Sequence, residues 1–463
     1  MNPTRSFFHL FYLLLYAAVC FFSSSAHAIS LIRDAEIEDT LRAYGNPIFK
    51  EAGLNPKAVH LFIVNDSSIN AYVAGGQNMF IHTGLILKTD TPNMLIGVMA
   101  HETGHMAGGH LAQGTEQLKN AQMGAIISAV LGAAMVAGGG GEEGMAVMSA
   151  GQQVAMRNYL HFSRGNESAA DQAALDYLDQ LGISASGMLR MMEILRQDEN
   201  RSYGSPDPYT RTHPLNIDRI THIRDHVMHS TIREDFEPAG FNERHARMIA
   251  KLSGFIDPPE QTLNTYPKTD HSVPARYARA IAYYRLPDLP QALAEIDSLI
   301  KESPKDPFFH ELRGQILFEN GRVAEALQSY ARAATLLPNS PLILTDYGKV
   351  LLANQSKDNL AKAIHVLEHA NILDSADPNT WHQLAQAYAQ AGNMGKFYLA
   401  SAEESSLEDN PGEVIRNVNL ALKNLGNDRT AKLRANDLRL YAEKERQEHK
   451  EDGSQFHLSA GHG

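Results

Sequence analysis

In "VHLFIVNDSSINAYVAGGQNMFIHTGLIL" the apolar residues come in short β-branched and aromatic runs, Val59 to Val64 and Met79 to His82, broken by turn formers. Such runs predict paired strands. The period then changes. In "TPNMLIGVMAHETGHMAGGHLA" Leu95, Val98 and Met99 recur at helical spacing, with Thr91 placed as the N-cap and Pro92 at the first helical position. Helical character returns at Gln152 to Tyr177 and Ala185 to Arg196, and a Ser/Gly/Pro/Tyr-rich loop, "RSYGSPDPYTRTHP", follows. From Ala121 to Gly141 no residue is charged, but Gly138 to Gly141 end the stretch early. A packed small-residue helix or hairpin is expected there rather than a span, with peripheral membrane contact left open.

The composition changes again at "DPPEQTLNTYPKTDHSVP", which reads as a linker. Beyond it Ala292 and Ala326, Gly314 and Gly348, and Pro304 and Pro338 are each 34 residues apart, and Trp381 begins a further unit after a three-residue insertion near "SKD". That is the tetratricopeptide period, with small residues where paired helices touch and Pro closing each unit. The expected layout is a signal peptide at 1–28, an α+β domain at 29–256 that is mostly helical with a small sheet, a linker at 257–273, an all-α repeat solenoid at 274–447 and a disordered tail at 448–463.

Charge and cysteine content narrow the function. The 41 basic and 53 acidic residues leave a formal charge of -12 with no basic patch, which excludes nucleic acid as a partner. Arg5, the apolar run Phe7 to Phe22 and "AHA" at Ala26 to Ala28 make a secretory signal that would leave a mature chain starting near Ile29. Cys20 is the only cysteine and lies inside that signal. The mature chain would therefore have no disulfide and no cysteine nucleophile, so it must rely on packing or on a metal.

The chemistry is concentrated in "HETGH". On a helix residues i and i+4 stand one above the other, so His101 and His105 can both offer a ring nitrogen to one ion while Glu102 projects beside it. From there Glu102 can take a proton from water activated by the metal and pass it to the leaving amine. This is the HExxH pattern of zinc peptidases. A third ligand is needed, with one position left open. A histidine six residues after His105 would serve, but position 111 is Leu, and His110 falls one residue short, about 100° out of place on a helix. His110 is expected to face solvent or to stand behind a ligand. In "SRGNESAAD", Glu167 and Asp171 are four apart on an expected helix; Glu167 can complete the zinc shell, and Asp171 can hold the far nitrogen of a ligand histidine.

With "HETGH" followed by "SRGNESAAD", preceded by "NAYVAGG" and followed by "THPLNIDR", the chain resembles the HtpX-like gluzincin metallopeptidases, in particular exported members that carry C-terminal tetratricopeptide repeats. The resemblance implies one Zn2+ per chain held by His101, His105 and Glu167, with Glu102 as catalytic base and Asp171 as an active-site acid. It also makes His213 of "THPLNIDR" a residue that faces the zinc, either as an oxyanion donor or as a fourth ligand that keeps the enzyme latent. The implied work is periplasmic quality control of outer-membrane β-barrel proteins. Unfolded or stalled barrels would be substrates, and the repeats would bind the assembly machinery. Two other functions use the same features: a repeat-based chaperone or scaffold with little proteolysis, and a zinc amidase acting on cell wall. A scaffold needs no general base, and nothing in the sequence suggests glycan recognition.

Overall fold

A computed structural model describes residues 30–110, 113, 163–201, 209–210, 213–232, 238–354 and 356–458. The expected signal peptide and the charge-free stretch 121–141 lie outside the described residues. Among those described, no helix is long and apolar enough to cross a membrane.

The expected strands are present as β2 (His60–Val64) and β4 (Asn78–His82), joined by β1 (Leu31–Ile32) and β3 (Ala71–Ala74) in the order β1-β2-β4-β3. β2 and β4 pair in parallel, with Phe62 opposite Phe80 and Ile63 opposite Ile81. Parallel pairing requires a crossover, and β3 is part of it: it turns back through Gly75 and Gly76, both at positive φ (55° and 93°), to pair antiparallel with β4. β3 is thereby left on an edge of the sheet.

Behind the sheet, α1 (Ala35–Glu51) and α2 (Thr83–Lys88) precede the central helix α3 (Pro92–Ala107). Thr91 occupies the N-cap position of α3 with extended backbone, but its side chain makes no capping hydrogen bond. Every residue of α3 from Pro92 to Met106 is buried, so the helix has no solvated face, and its polar side chains, His101, Glu102 and His105 among them, are buried as well. It packs between α1, β3 and α5 (Ser186–Arg201), with helical residues 163–181 (α4) alongside its C-terminal half. Two glycines set how close these neighbours come. A Cβ on Gly97 would lie 2.8 Å from the Met188 Cα on α5, and one on Gly104 would lie 2.8 Å from the Ala170 carbonyl oxygen on α4. The glycine inside "HETGH" is therefore what lets α4 bring its acidic residues up to the histidines.

Helix α6 (Ile217–His229), capped by the Asn216 side chain, and α7 (Phe241–Ile256) complete the N-terminal part. The segment read as a linker contains a short helix, α8 (Pro259–Thr265), packed against α9 (Val273–Arg285), and α9 packs on α7. Then come α10 (Leu289–Glu302), α11 (Pro307–Glu319), α12 (Val323–Leu336), α13 (Pro341–Ala353), α14 (Lys357–Leu373), α15 (Pro378–Gln390), α16 (Met394–Leu407), α17 (Pro411–Asn424) and α18 (Arg429–Leu458). Successive helices pack as antiparallel neighbours. The 34-residue period marks real contacts: a Cβ on Gly314 would lie 2.7 Å from the Tyr330 ring, and one on Gly348 would lie 2.5 Å from Leu367. The three-residue insertion lengthens α14, which has 17 residues where α12 has 14. Helix α18 runs on to Leu458, into the stretch expected to be a disordered tail.

Candidate metal centre

All six residues singled out by sequence converge, and all are buried: His101, Glu102 and His105 on α3, Glu167 and Asp171 on α4, and His213 just before α6. His101 Nε2 lies 3.1 Å from His105 Nε2. Glu167 reaches between them, with Oε2 3.4 Å from His101 Nε2 and Oε1 3.3 Å from His105 Nε2. His213 Nδ1 closes the group, 3.5 Å from His101 Nε2 and 3.1 Å from Glu167 Oε1. Two donor atoms of a tetrahedral ion with bonds of 2.0–2.1 Å are about 3.3–3.4 Å apart. The spacings of 3.1–3.5 Å thus bracket the edges of such a shell. Among the described residues, His101, His105, Glu167 and His213 are the one group of this kind. Three imidazole nitrogens around one carboxylate suit a divalent cation of the zinc type better than a hard ion that prefers all-oxygen ligands.

Glu102 stands beside this group and outside it. It is fully buried, neither of its oxygens has a hydrogen-bond partner, and Oε1 is 3.5 Å from His213 Nε2. Burial raises its pKa, against the pull of His213 and His101. A buried carboxylate with no partner costs stability. A carboxylate that must accept and release a proton in a dry site needs that raised pKa.

The residues behind the donors fix them. His101 Nδ1 lies 2.9 Å from Asp171 Oδ1. Burial alone would lower the His101 pKa, but Asp171 and Glu167 outweigh it and push it up to about 9. Asp171 is gripped at both oxygens by Arg219, at 2.6 Å from Nε and 2.8 Å from the second nitrogen. Despite burial, Arg219 and His101 hold the Asp171 carboxyl down at about 2. Burial would likewise raise Glu167, but the three histidines hold it far below the usual carboxylate range. For His105 burial wins and lowers the imidazole to about 3.

Two residues that sequence reasoning missed belong here. Arg219 also contacts Glu167 at 2.9 Å and donates to the Pro214 carbonyl at 3.0 Å, so one guanidinium ties together α4, the loop of His213 and α6. The Tyr209 ring stacks on the His213 ring with centroids 4.7 Å apart, and the Tyr209 carbonyl accepts from the His213 N–H at 2.8 Å. Arg219 is the last residue of "THPLNIDR", six after His213, and only its place in that run could have drawn notice. Tyr209 carries no sequence signal.

Residues 35–227 match the profile of peptidase family M48, and residues 275–341 match that of the tetratricopeptide repeat. The chain is 24% identical over 384 residues to the beta-barrel assembly-enhancing protease of Yersinia pestis, covering 81% of this chain and 77% of that protein. To the beta-barrel assembly-enhancing protease of Escherichia coli (strain K12) it is 25% identical over 382 residues, with the same shares of 81% and 77%. To the metalloprotease LoiP of that organism it is 28% identical over 176 residues, which cover 38% of this chain and 65% of the relative. The buried histidine and carboxylate cluster lies within the span of the peptidase match, and the helix pairs lie beyond it, so residues 35–227 are similar to the metallopeptidases of family M48 and the helices that follow are similar to tetratricopeptide repeats.

Proposed function

We propose that this chain is a periplasmic zinc endopeptidase that cleaves unfolded or stalled outer-membrane β-barrel proteins, with its repeats binding clients or the assembly machinery. The observation that carries the chemistry is the pairing of four donor atoms at tetrahedral spacing with one unbonded, buried carboxylate beside them. The names of the relatives support the choice of client.

When bound, zinc supplies Lewis-acid activation of water and of the scissile carbonyl. His101, His105 and Glu167 hold it, Asp171 keeps the His101 imidazole in one tautomer, and Arg219 keeps Asp171 in place. Glu102 takes the proton of the attacking water and delivers it to the leaving nitrogen. The edge of β3 offers backbone N–H and C=O groups to an extended substrate. In the described arrangement His213 stands where water and carbonyl must enter, with Tyr209 stacked behind it. We therefore assign this arrangement to a latent state, in which His213 is a latch that moves before substrate binds.

The test is a paired assay on the purified chain, measuring zinc per chain and cleavage of an unfolded outer-membrane protein by the parent and by Glu102→Gln. One zinc in both proteins with cleavage only by the parent is the expected result. Equal cleavage by both would remove Glu102 from the reaction, and a parent that binds zinc without cutting would favour the scaffold function.

A further inference from the structure

We infer that His110 is a positioning residue for His105, and that Gly108 and Gly109 exist in this sequence to place it. The inference rests on the metal-site reading above. His105 can offer the Nε2 lone pair to a cation only if its proton sits on Nδ1, and that N–H then needs an acceptor. His110 Nδ1 lies 3.0 Å from His105 Nδ1, with the rings edge to face at 81°. His105 Nδ1–H is the donor and His110 Nδ1 the acceptor, which leaves the proton of His110 on Nε2.

Helical geometry does not deliver this contact. A continued α-helix would carry residue 110 about 140° around the axis from residue 105. Instead α3 ends at Ala107, and the chain turns at Gly109, whose φ is +63°. The Gln113 side chain closes the turn by donating to the Gly108 carbonyl at 2.9 Å. The His110 ring folds back over Gly108 so tightly that a Cβ there would meet His110 Nε2 at 2.4 Å. The first glycine clears space for the ring, and the second supplies the left-handed backbone. The two histidines are thus held differently. His101 leans on a buried carboxylate braced by Arg219, whereas His105 leans on a half-buried imidazole of a nearby turn.

The test measures Zn2+ affinity of the full chain by chelator competition, and the visible spectrum of the Co2+-loaded chain, for His110→Ala, Gly108→Ala and His110→Asn. Gly108 has φ −72°, which alanine adopts freely, so Gly108→Ala displaces the ring without straining the backbone. Loss of an outer partner of a ligand histidine weakens metal binding about 10–100-fold. That loss, with a shifted Co2+ band, is expected for His110→Ala and Gly108→Ala, and His110→Asn should recover part of it because its amide oxygen can accept from His105. Affinity within twofold of the parent and an unchanged Co2+ band in His110→Ala would overturn the inference. So would a loss that asparagine does not recover and that comes with a lower melting temperature of the metal-free chain, since that marks a merely structural residue. Zinc binding by the parent, abolished in Glu167→Ala, tests the site itself independently.

Discussion

Two of the buried clusters of ionisable groups among the described residues are built on opposite rules. Where α7 meets the repeats, Lys251 Nζ lies 2.7 Å from Asp34 and 3.5 Å from both Glu36 and Glu311, while Arg247 bridges Glu36 and Asp306 at 2.6 Å each. Tyr277 donates to Glu36 at 2.6 Å, and the Arg247 guanidinium lies over the Phe309 ring at 4.3 Å. There donors face acceptors and opposite charges meet, so the cluster closes on itself and joins the two parts of the chain. In the metal centre ring nitrogens and carboxylate oxygens with lone pairs to give face one another, and Glu102, 3.5 Å from His213, accepts no hydrogen bond. Lys251, Glu36 and Arg247 are as buried as the residues of the metal centre, so burial alone does not mark a functional site. The complementarity of the partners does.

The comparison is tested most strongly by removing one residue from each cluster. Glu102→Gln should lower turnover by about 10²–10⁴ while zinc content and melting temperature hold, because the base touches no structural partner. A fall in zinc content would show that Glu102 helps to hold the ion. Lys251→Met should do the reverse. Leaving Asp34 and Glu311 without their cation costs about 3–5 kcal/mol, read as a shifted denaturant midpoint, with one zinc still bound. If the variant lost its zinc instead, the two clusters would not be independent.

The next effect is smaller and depends on the role of His213. As a latch, its replacement in His213→Ala should keep zinc and leave turnover of a short unstructured peptide equal to the parent or several-fold higher. An oxyanion donor predicts a fall of about 10²–10³ with zinc intact, and measuring turnover and metal content together separates the two.

The smallest effect concerns the rim of the interdomain cluster. Asp346 and Glu311 both line a cavity of about 450 Å³ between residues 32–37 and the repeats. Burial pushes Asp346 up to about 6, with Asp377 and Asp34 adding to it against Lys349. An acid whose folded pKa is raised stabilises the fold least when ionised: the penalty is absent near pH 4 and full above about pH 6. Asp346→Asn should therefore raise stability by about 1 kcal/mol at pH 7.5 and by nothing near pH 4, as read from paired denaturant melts. An equal gain at both pH values would assign the effect to packing.

Local features of the site were legible from the chain because they follow from helix geometry. His101 and His105, and Glu167 and Asp171, are each four apart, and that spacing places each pair on one face whatever surrounds it. The repeats were legible for a similar reason: one packing solution recurs every 34 residues, so Gly314 and Gly348 announce the same helix contact twice. The pairing of β2 with β4 was expected, but its parallel sense was not, because side-chain alternation is the same in either sense. Lys251 and Arg247 were not singled out. Their partners are 60 residues downstream at Glu311 and 59 at Asp306, and a charged residue on a helix reads as a solvated face until the other half of the contact is known.

By itself the sequence determined which residues are available for chemistry and which helical faces carry them, since both depend on interactions within one or two turns. Only the tertiary structure decided that Gly104 lets α4 approach α3, that His213 Nδ1 takes the fourth place around the donors, that Arg219 braces Asp171 from 48 residues away, and that the half-turn at Gly109 lays His110 against His105. Those are contacts between elements, set by how the whole core packs, and no local period encodes them.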